Sequence, residues 1–579
     1  MPTRRLVAWA LLATLAAAAD RPGAEIPPAA RDSFDKASIA RDEGRVQEAC
    51  QLYRKAVEAH PLYWEAHAAY LDCLRGLGQL DAARDLYARL VQEHGASFPL
   101  KVFHAASLEP EEARTALQAL LESKPGDARV LLELGRLHLR ADAPREAERI
   151  LQRAVRADAS LVVAHLLLGD AALRMRRWPT ARKSYQAALE IDPSLAPAHL
   201  RVAVSWHRQG KSDRAIEILK NLLSEDNLPR LVAGHWVLAV VYAETGQYRQ
   251  AIASIDRVLS IRKDDLQAHL TKGALLLREG DPPAAVKVLT AVAEKNPRSS
   301  AVLFALGWAY EQAADVEGTD DATRRDRLTL AAAAYEKCAK LDPGVRPRDS
   351  LGFVQLLRQD PQAEQNFKQA RDIAPGFAPA QNNLGLWADI ADDRAEAMKR
   401  YNLVLKEIDK QNVRALVSLA LDHWLQGGKA KAIQYLEQAV RLDPEDDLAW
   451  TFLGDIYWDK GNKSSYRKAV KYYRKAVEIN DKNFDAWSHM GKTLDDNLQK
   501  YADADHAYRK ALDAAATENV QDRQRMELAL RLALINEDDR LDRLEDALQF
   551  YKLYIDLGGT EDWVPDRIKD LEEQLAGKK

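Results

Sequence analysis

The 34 residues from Ser160 to Pro193 carry a complete two-helix pattern, and its return along the chain at nearly constant spacing limits the fold more than any other feature. In the first half, His165, Leu168, Gly169 and Ala172 are separated by three, one and three residues, which places them on one face of a helix. In the second half Trp178, Ala181, Tyr185 and Ala188 do the same, and Asp192-Pro193 ends the helix because proline cannot continue it. Gly169 and Ala181 mark the place where two helices cross most closely. A larger side chain there would push the pair apart, while Tyr185 fills the space beside them.

The same group of a small first-helix residue, a second-helix alanine, an aromatic four residues later and a closing proline recurs, in whole or in part, along the chain. Examples are Gly307/Tyr335/Pro343, Gly352/Ala363/Phe367/Pro375, Gly385/Ala397/Tyr401, Ala420/Ala432/Pro444, Gly454/Ala469/Tyr473 and Gly491/Ala504/Tyr508. A period of about 34 residues belongs to helix-turn-helix arrays, in which each unit buries its apolar face on its neighbours. The chain resembles the tetratricopeptide repeat (TPR) family over nearly all of its length after residue 30. The resemblance implies an all-α fold, a right-handed superhelical solenoid of about 14 helix pairs whose first helices line a concave ligand surface.

The pattern also sets the boundaries. Residues 1–19 have the parts of a secretory signal: basic Arg4-Arg5, an apolar run from Leu6 to Ala19, and small residues before Asp20. That run is shorter than the roughly 20 residues needed to span a bilayer, and no later stretch is apolar enough, so no integral membrane segment is expected after cleavage near Ala19. No cysteine follows it to open a lipoprotein route. Residues 20–30, with Pro22, Gly23, Pro27 and Pro28, read as a flexible linker, and the array occupies 31–560. A degenerate unit near 97–125 has a short first helix without a small residue at the crossing, which predicts a local break in curvature. A charged insertion near 315–327 either lengthens two helices or projects as a loop, and a smaller one covers Asn462 to Ser465. Residues 561–579 form a C-terminal capping helix with a single apolar stripe, Val564, Ile568, Leu571 and Leu575.

Export points to the periplasm of a two-membrane cell, and the Ala-, Arg- and Asp-rich composition points to a bacterium with a GC-rich genome. A net charge of -4 gives no electrostatic reason to expect nucleic acid. Three cysteines cannot all pair within the chain. Cys50, early in one second helix, and Cys73, late in the next first helix, lie at similar levels; they are either a disulfide or two small buried hydrophobes, and Cys338 replaces a core alanine.

No zinc-binding His-Glu pair, phosphate-cradling loop or nucleophile elbow occurs, and Gly76-Leu77-Gly78 is a helix-joining turn. No cofactor and no catalytic residue is assigned. His165, His199, His235 and His269 recur once per repeat, roughly 10 Å apart, too far to share an ion held by bonds of about 2 Å; they occupy the family's bulky packing position.

In the TPR frame, positions one and four after the small residue, and three before it, face the groove. They include Arg75, Arg129, Arg136, Arg140, Arg174 and Arg208 in the N-terminal third, and Trp236, Phe304, Trp308, Phe353, Trp424 and Trp458 further on. Tryptophan and arginine are enriched where binding energy concentrates. The expected partner is an amphipathic helix or extended apolar peptide, with acidic flanks toward the arginines. The lysine and asparagine set of the family's chaperone-tail clamp is absent: Asn382-Asn383 comes nearest, but Leu386 and Trp424 stand where polar groups are needed. The resulting expectation is a non-enzymatic protein-interaction scaffold of the bacterial envelope, serving a pilus, secretion or gliding-motility machine. The alternative is a periplasmic peptide-binding chaperone for exported chains.

Overall fold

The computed structural model describes residues 26–94, 97–224, 228, 230–316, 319–517, 520, 522–537 and 541–577; the signal segment lies outside them. Among the described residues there are fifteen consecutive helix pairs and one final helix, with no strand. The chain divides into two compact units, residues 1–288 and 289–579. Each is an all-α superhelical solenoid of the expected type.

Pairing rests on the glycine and tyrosine that the sequence singled out. A Cβ placed on Gly169 would stand 2.2 Å from the ring of Tyr185, and the same closeness recurs at Gly454 with Tyr473 (2.3 Å), Gly491 with Tyr508 (2.4 Å) and Gly385 with Tyr401 (2.5 Å). These tyrosines are fully buried. The turn after most first helices uses a left-handed residue; Gly210 supplies it at φ +84°, and Arg176 takes the same conformation at φ +57° one repeat earlier.

Successive repeats are fastened by a side chain that reaches back to the carbonyl six residues earlier. His165, His199 and His269 bond through Nε2 to the carbonyls of Ala159, Pro193 and Lys263 at 2.9–3.0 Å. The indoles of Trp450 and Trp487 donate to the carbonyls of Pro444 and Asp481 in the same way. The recurring histidine is thus a clasp on the inter-repeat turn, a position that any side chain with a suitable N–H can fill.

In the first unit, the helix Phe98–Ser107 has only ten residues. Across it, the first helices on either side meet through charge: Arg136 donates to Asp72 at 2.6 Å, Arg75 to Glu133 at 3.1 Å, and Arg75 to Asp72 at 2.9 Å. The unit also winds back on itself. Arg230 pairs with Glu43 of the first repeat at 2.6 Å, and the Arg262 guanidinium lies against Gly44. Cys50 and Cys73 are joined as a disulfide with Cα atoms 5.6 Å apart.

In the second unit, the charged insertion from Asp321 onward is the start of a 21-residue second helix, Asp321–Leu341. Asp320 caps it by accepting from the amides of Ala322 and Thr323, and Arg327 ties it back to the carbonyl of Ala313. The smaller insertion likewise extends a helix, Lys463–Ile479, capped by Asn462. The buried thiol of Cys338, pushed up to about 11, donates to the carbonyl of Ser300. The last helix, Val564–Gly577, buries Val564 and Leu571 against the preceding repeat. No described helix is long and apolar enough to cross a membrane.

Candidate partner-binding groove

The groove positions start from the tyrosine crossing. A buried hydroxyl needs a hydrogen-bond partner, and at four crossings a carboxylate one or four residues after the small residue provides it. Tyr185 donates to Asp170 at 2.8 Å, Tyr335 to Glu311 at 2.8 Å, Tyr401 to Asp389 at 2.7 Å and Tyr473 to Asp455 at 2.7 Å. The acid then takes a group from the next repeat. Arg201 donates to Asp170 at 2.9 Å and His489 to Asp455 at 2.8 Å. At the end of the second unit, Glu537 holds both Tyr551 and Arg567. A tyrosine, an acid and a cation thus link neighbouring repeats.

The joint at Tyr401 differs in the group that the acid meets. Asp389 meets Asp422, a second carboxylate; Asp389 Oδ1 and Asp422 Oδ2 are both buried and have no hydrogen-bond partner of their own. Burial first, and Asp389 second, push the Asp422 carboxyl up to about 7. Two repeats earlier, burial raises Asp349 to about 6 while Asn383 donates to it at 2.9 Å. Asn382 is spent on Asn412. The Asn382-Asn383 amides are therefore inside the stack and do not line a carboxylate clamp.

The aromatic positions divide by exposure. Trp308 and Trp458 are 37% and 40% exposed, whereas Trp236, Phe304, Phe353 and Trp424 are half-buried. Trp236 belongs to the first unit and packs on its core; the other five belong to the second. The Trp424 indole donates to Asp459 at 2.7 Å and that of Trp458 to Asn497 at 2.9 Å. Each ring is thereby tied to the next repeat. Asn497 lies on a π-helical turn, Thr493–Asn497, whose Asp496 holds Arg531. Phe304 leans on Tyr335, and the Arg414 guanidinium lies over Phe353 at 5.8 Å. Ile390, Leu425 and Leu448 are exposed on first helices of the second unit.

The arginines fare differently. Arg136 is only 6% exposed and committed to Asp72 and Glu133, so the expectation that it faces a partner is corrected: the short helix Phe98–Ser107 leaves a gap that Arg136 fills. Arg129 lies over Trp64 at 4.2 Å, and Arg174 donates to the carbonyl of Leu139 and to Asp142. Arg208 is half-buried at the end of its helix. The acids were missed from sequence, although they stand at the very positions flagged as groove-facing. A lone carboxylate on a helix reads as solvated until a tyrosine is placed beneath it.

Among the described residues no group of three or more His, Cys, Asp or Glu is placed to hold a metal ion. The fold and groove define a helical-repeat array whose surfaces suit other chains. Profiles of the tetratricopeptide repeat match residues 40–99, 105–169, 166–228, 207–268, 270–345 and 417–484. The chain belongs to the tetratricopeptide repeat family, and with it to a class of protein–protein interaction scaffolds.

Among curated proteins, it is 23% identical over 274 residues to tetratricopeptide repeat protein 37 of Xenopus laevis, covering 46% of this chain and 17% of that protein. It is 22% identical over 274 residues to human superkiller complex protein 3, covering 44% and 16%. The chain thus spans under a fifth of either relative. Among solved structures, the Cut9 and Hcn1 hetero-tetramer of the APC/C aligns with a TM-score of 0.40 at 14% identity, covering 94% of this chain and 96% of that one. Yeast Tom70 aligns with a TM-score of 0.36 at 13% identity, covering 86% and 96%.

Proposed function

We propose that this chain is an exported scaffold of the bacterial cell envelope that holds partner segments on the first-helix surface of its second unit. In this reading it helps to assemble or hold a multiprotein machine of the pilus, secretion or gliding-motility type. The observation that carries it is the pair Trp308 and Trp458, each more than a third exposed at a groove position. Large aromatic faces held in place lose little freedom on binding, which is why they concentrate binding energy. TPR arrays are ordinarily non-catalytic, and no enzymatic role is proposed.

Two features support export. Residues 4–19 have the composition of a secretory signal, and the Cys50–Cys73 bridge suits an oxidising compartment. The test is capture of partners from an envelope extract on the immobilised mature chain, beside a Trp308→Ala/Trp458→Ala variant. Partners retained by the first and lost by the second support the proposal. A cytoplasmic location of the intact protein in its own cell overturns the envelope assignment.

A peptide-holding chaperone is the second reading. The exposed Ile390, Leu425 and Leu448 favour it, because apolar surface accepts varied apolar segments. Binding of many unrelated unfolded exported chains with similar affinity would select it.

A further inference from the structure

Trp206 closes the first helix Ala196–Arg208, and three cations converge on its ring. Arg182 Cζ lies 3.7 Å from the ring centroid, Arg214 Cζ 4.8 Å and Lys211 Nζ 5.3 Å. Arg182 and Arg214 come from the second helices of successive repeats, Trp178–Ile191 and Ser212–Leu222, and Lys211 from the turn between Ala196–Arg208 and Ser212–Leu222. The cluster is therefore built on the second helices and not on the groove positions of the first.

The ring attracts these charges without neutralising them. None of the three pairs with a carboxylate among the described residues, and Arg182 Nη1 is buried with no hydrogen-bond partner. Burial and then the Arg214 charge hold the Arg182 guanidinium below its ordinary value, the direction expected where like charges are left facing each other. The surroundings reinforce the sign. Between residues 174 and 220 there are ten Lys and Arg against four Asp and Glu, in a chain whose net charge is -4. A guanidinium stacked by its face still offers its N–H edge, which fits the two oxygens of a carboxylate.

We propose that Arg182, Lys211 and Arg214, arranged around Trp206, form a docking site for an acidic peptide segment of a partner protein. The site rests on the reading of the chain as a protein-binding scaffold and adds a second contact surface to it. The partner's carboxylates supply the charge that the protein itself withholds from this cluster.

The experiment is fluorescence anisotropy of a labelled octaglutamate peptide against the full mature chain at about 50 mM salt. The peptide is expected to bind, and Lys211→Gln/Arg214→Gln, at two exposed positions, to weaken it at least about fivefold with an unchanged helical spectrum. Arg182→Gln is expected to act in the same direction. Lys183→Gln/Lys220→Gln removes the same charge from the same stretch and is expected to change affinity less than about twofold. No peptide binding, or equal loss in the two double variants, overturns the site. Inorganic phosphate or sulfate binding there at millimolar concentration while the peptide does not overturns the peptide assignment. Partner capture through Trp308 and Trp458 is measured separately, so its survival with a failed peptide titration removes this site alone.

Discussion

Asp455 and His489 stand on the first helices of successive repeats and share a 2.8 Å hydrogen bond through an oxygen that also receives the Tyr473 hydroxyl at 2.7 Å. Burial opposes charge on His489, but the hydrogen bond and charge of Asp455 prevail and raise its pKa above the ordinary value. Asp455→Asn should return the His489 titration, followed by NMR, toward or below the ordinary value of about 6.5. Asp455→Ala should cost about 1–3 kcal/mol in chemical denaturation, because the buried Tyr473 hydroxyl loses its acceptor. An unmoved His489 titration in both variants would separate the joint from the charge network.

The two units should respond oppositely to acid. In the second, Asp422 is raised to about 7, so between about pH 4 and 7 the folded chain holds a proton that the unfolded chain has released, and stability falls as pH rises. Asp349, raised to about 6, acts in the same direction. In the first unit, burial lowers His67 to about 4; between about 6.5 and 4 the unfolded chain takes the proton first, and stability falls as pH falls. Hydrogen exchange, corrected for intrinsic rates, should show helix Val413–Leu425 better protected at pH 5.5 than at 7.5 and helix Trp64–Leu77 less so. Asp422→Asn should flatten the first effect. Protection moving the same way in both helices would contradict the assignment.

Two glycines should give opposite results. Gly169→Leu would drive a side chain into Tyr185 and should cost about 1–3 kcal/mol. Gly76, in helix Trp64–Leu77, faces open space, so Gly76→Ala should be neutral or stabilising by up to about 1 kcal/mol. Denaturant midpoints of the two variants check this.

The Cys50–Cys73 bridge should leave Cys338 as the one thiol that alkylates when protein purified without reductant is unfolded. Reduction should lower stability by about 2–4 kcal/mol. Three alkylated cysteines in freshly isolated protein would show that the bridge does not form in its compartment.

Much of this architecture was legible because one period repeats. The pairing of Gly169 with Tyr185 follows from a small and a large residue kept at helical spacing, and the stripe from Val564 to Leu575 follows from the same periodicity. Position in the groove was legible too, but the fate of a side chain there was not. Arg136 and Arg208 occupy groove positions of different repeats, yet Arg136 is buried because Asp72, 64 residues earlier, comes within reach across a shortened helix. Long-range pairing of that kind leaves no trace in local spacing. The insertion at 315–327 allowed either a loop or longer helices, and capping by Asp320 with the anchor from Arg327 makes its part from Asp321 onward helix.

The central claim is that the exposed tryptophans of the second unit hold a partner. Its most direct measurement is the yield of each protein captured from envelope extract, by quantitative mass spectrometry, on the native chain and on Trp308→Ala/Trp458→Ala. Since a hot-spot aromatic contributes about 2 kcal/mol and each 1.4 kcal/mol is tenfold in affinity, the principal partner should be retained at least about tenfold more weakly by the variant, with an unchanged helical spectrum. Equal recovery of that partner on both would contradict the claim and move its contact away from this groove.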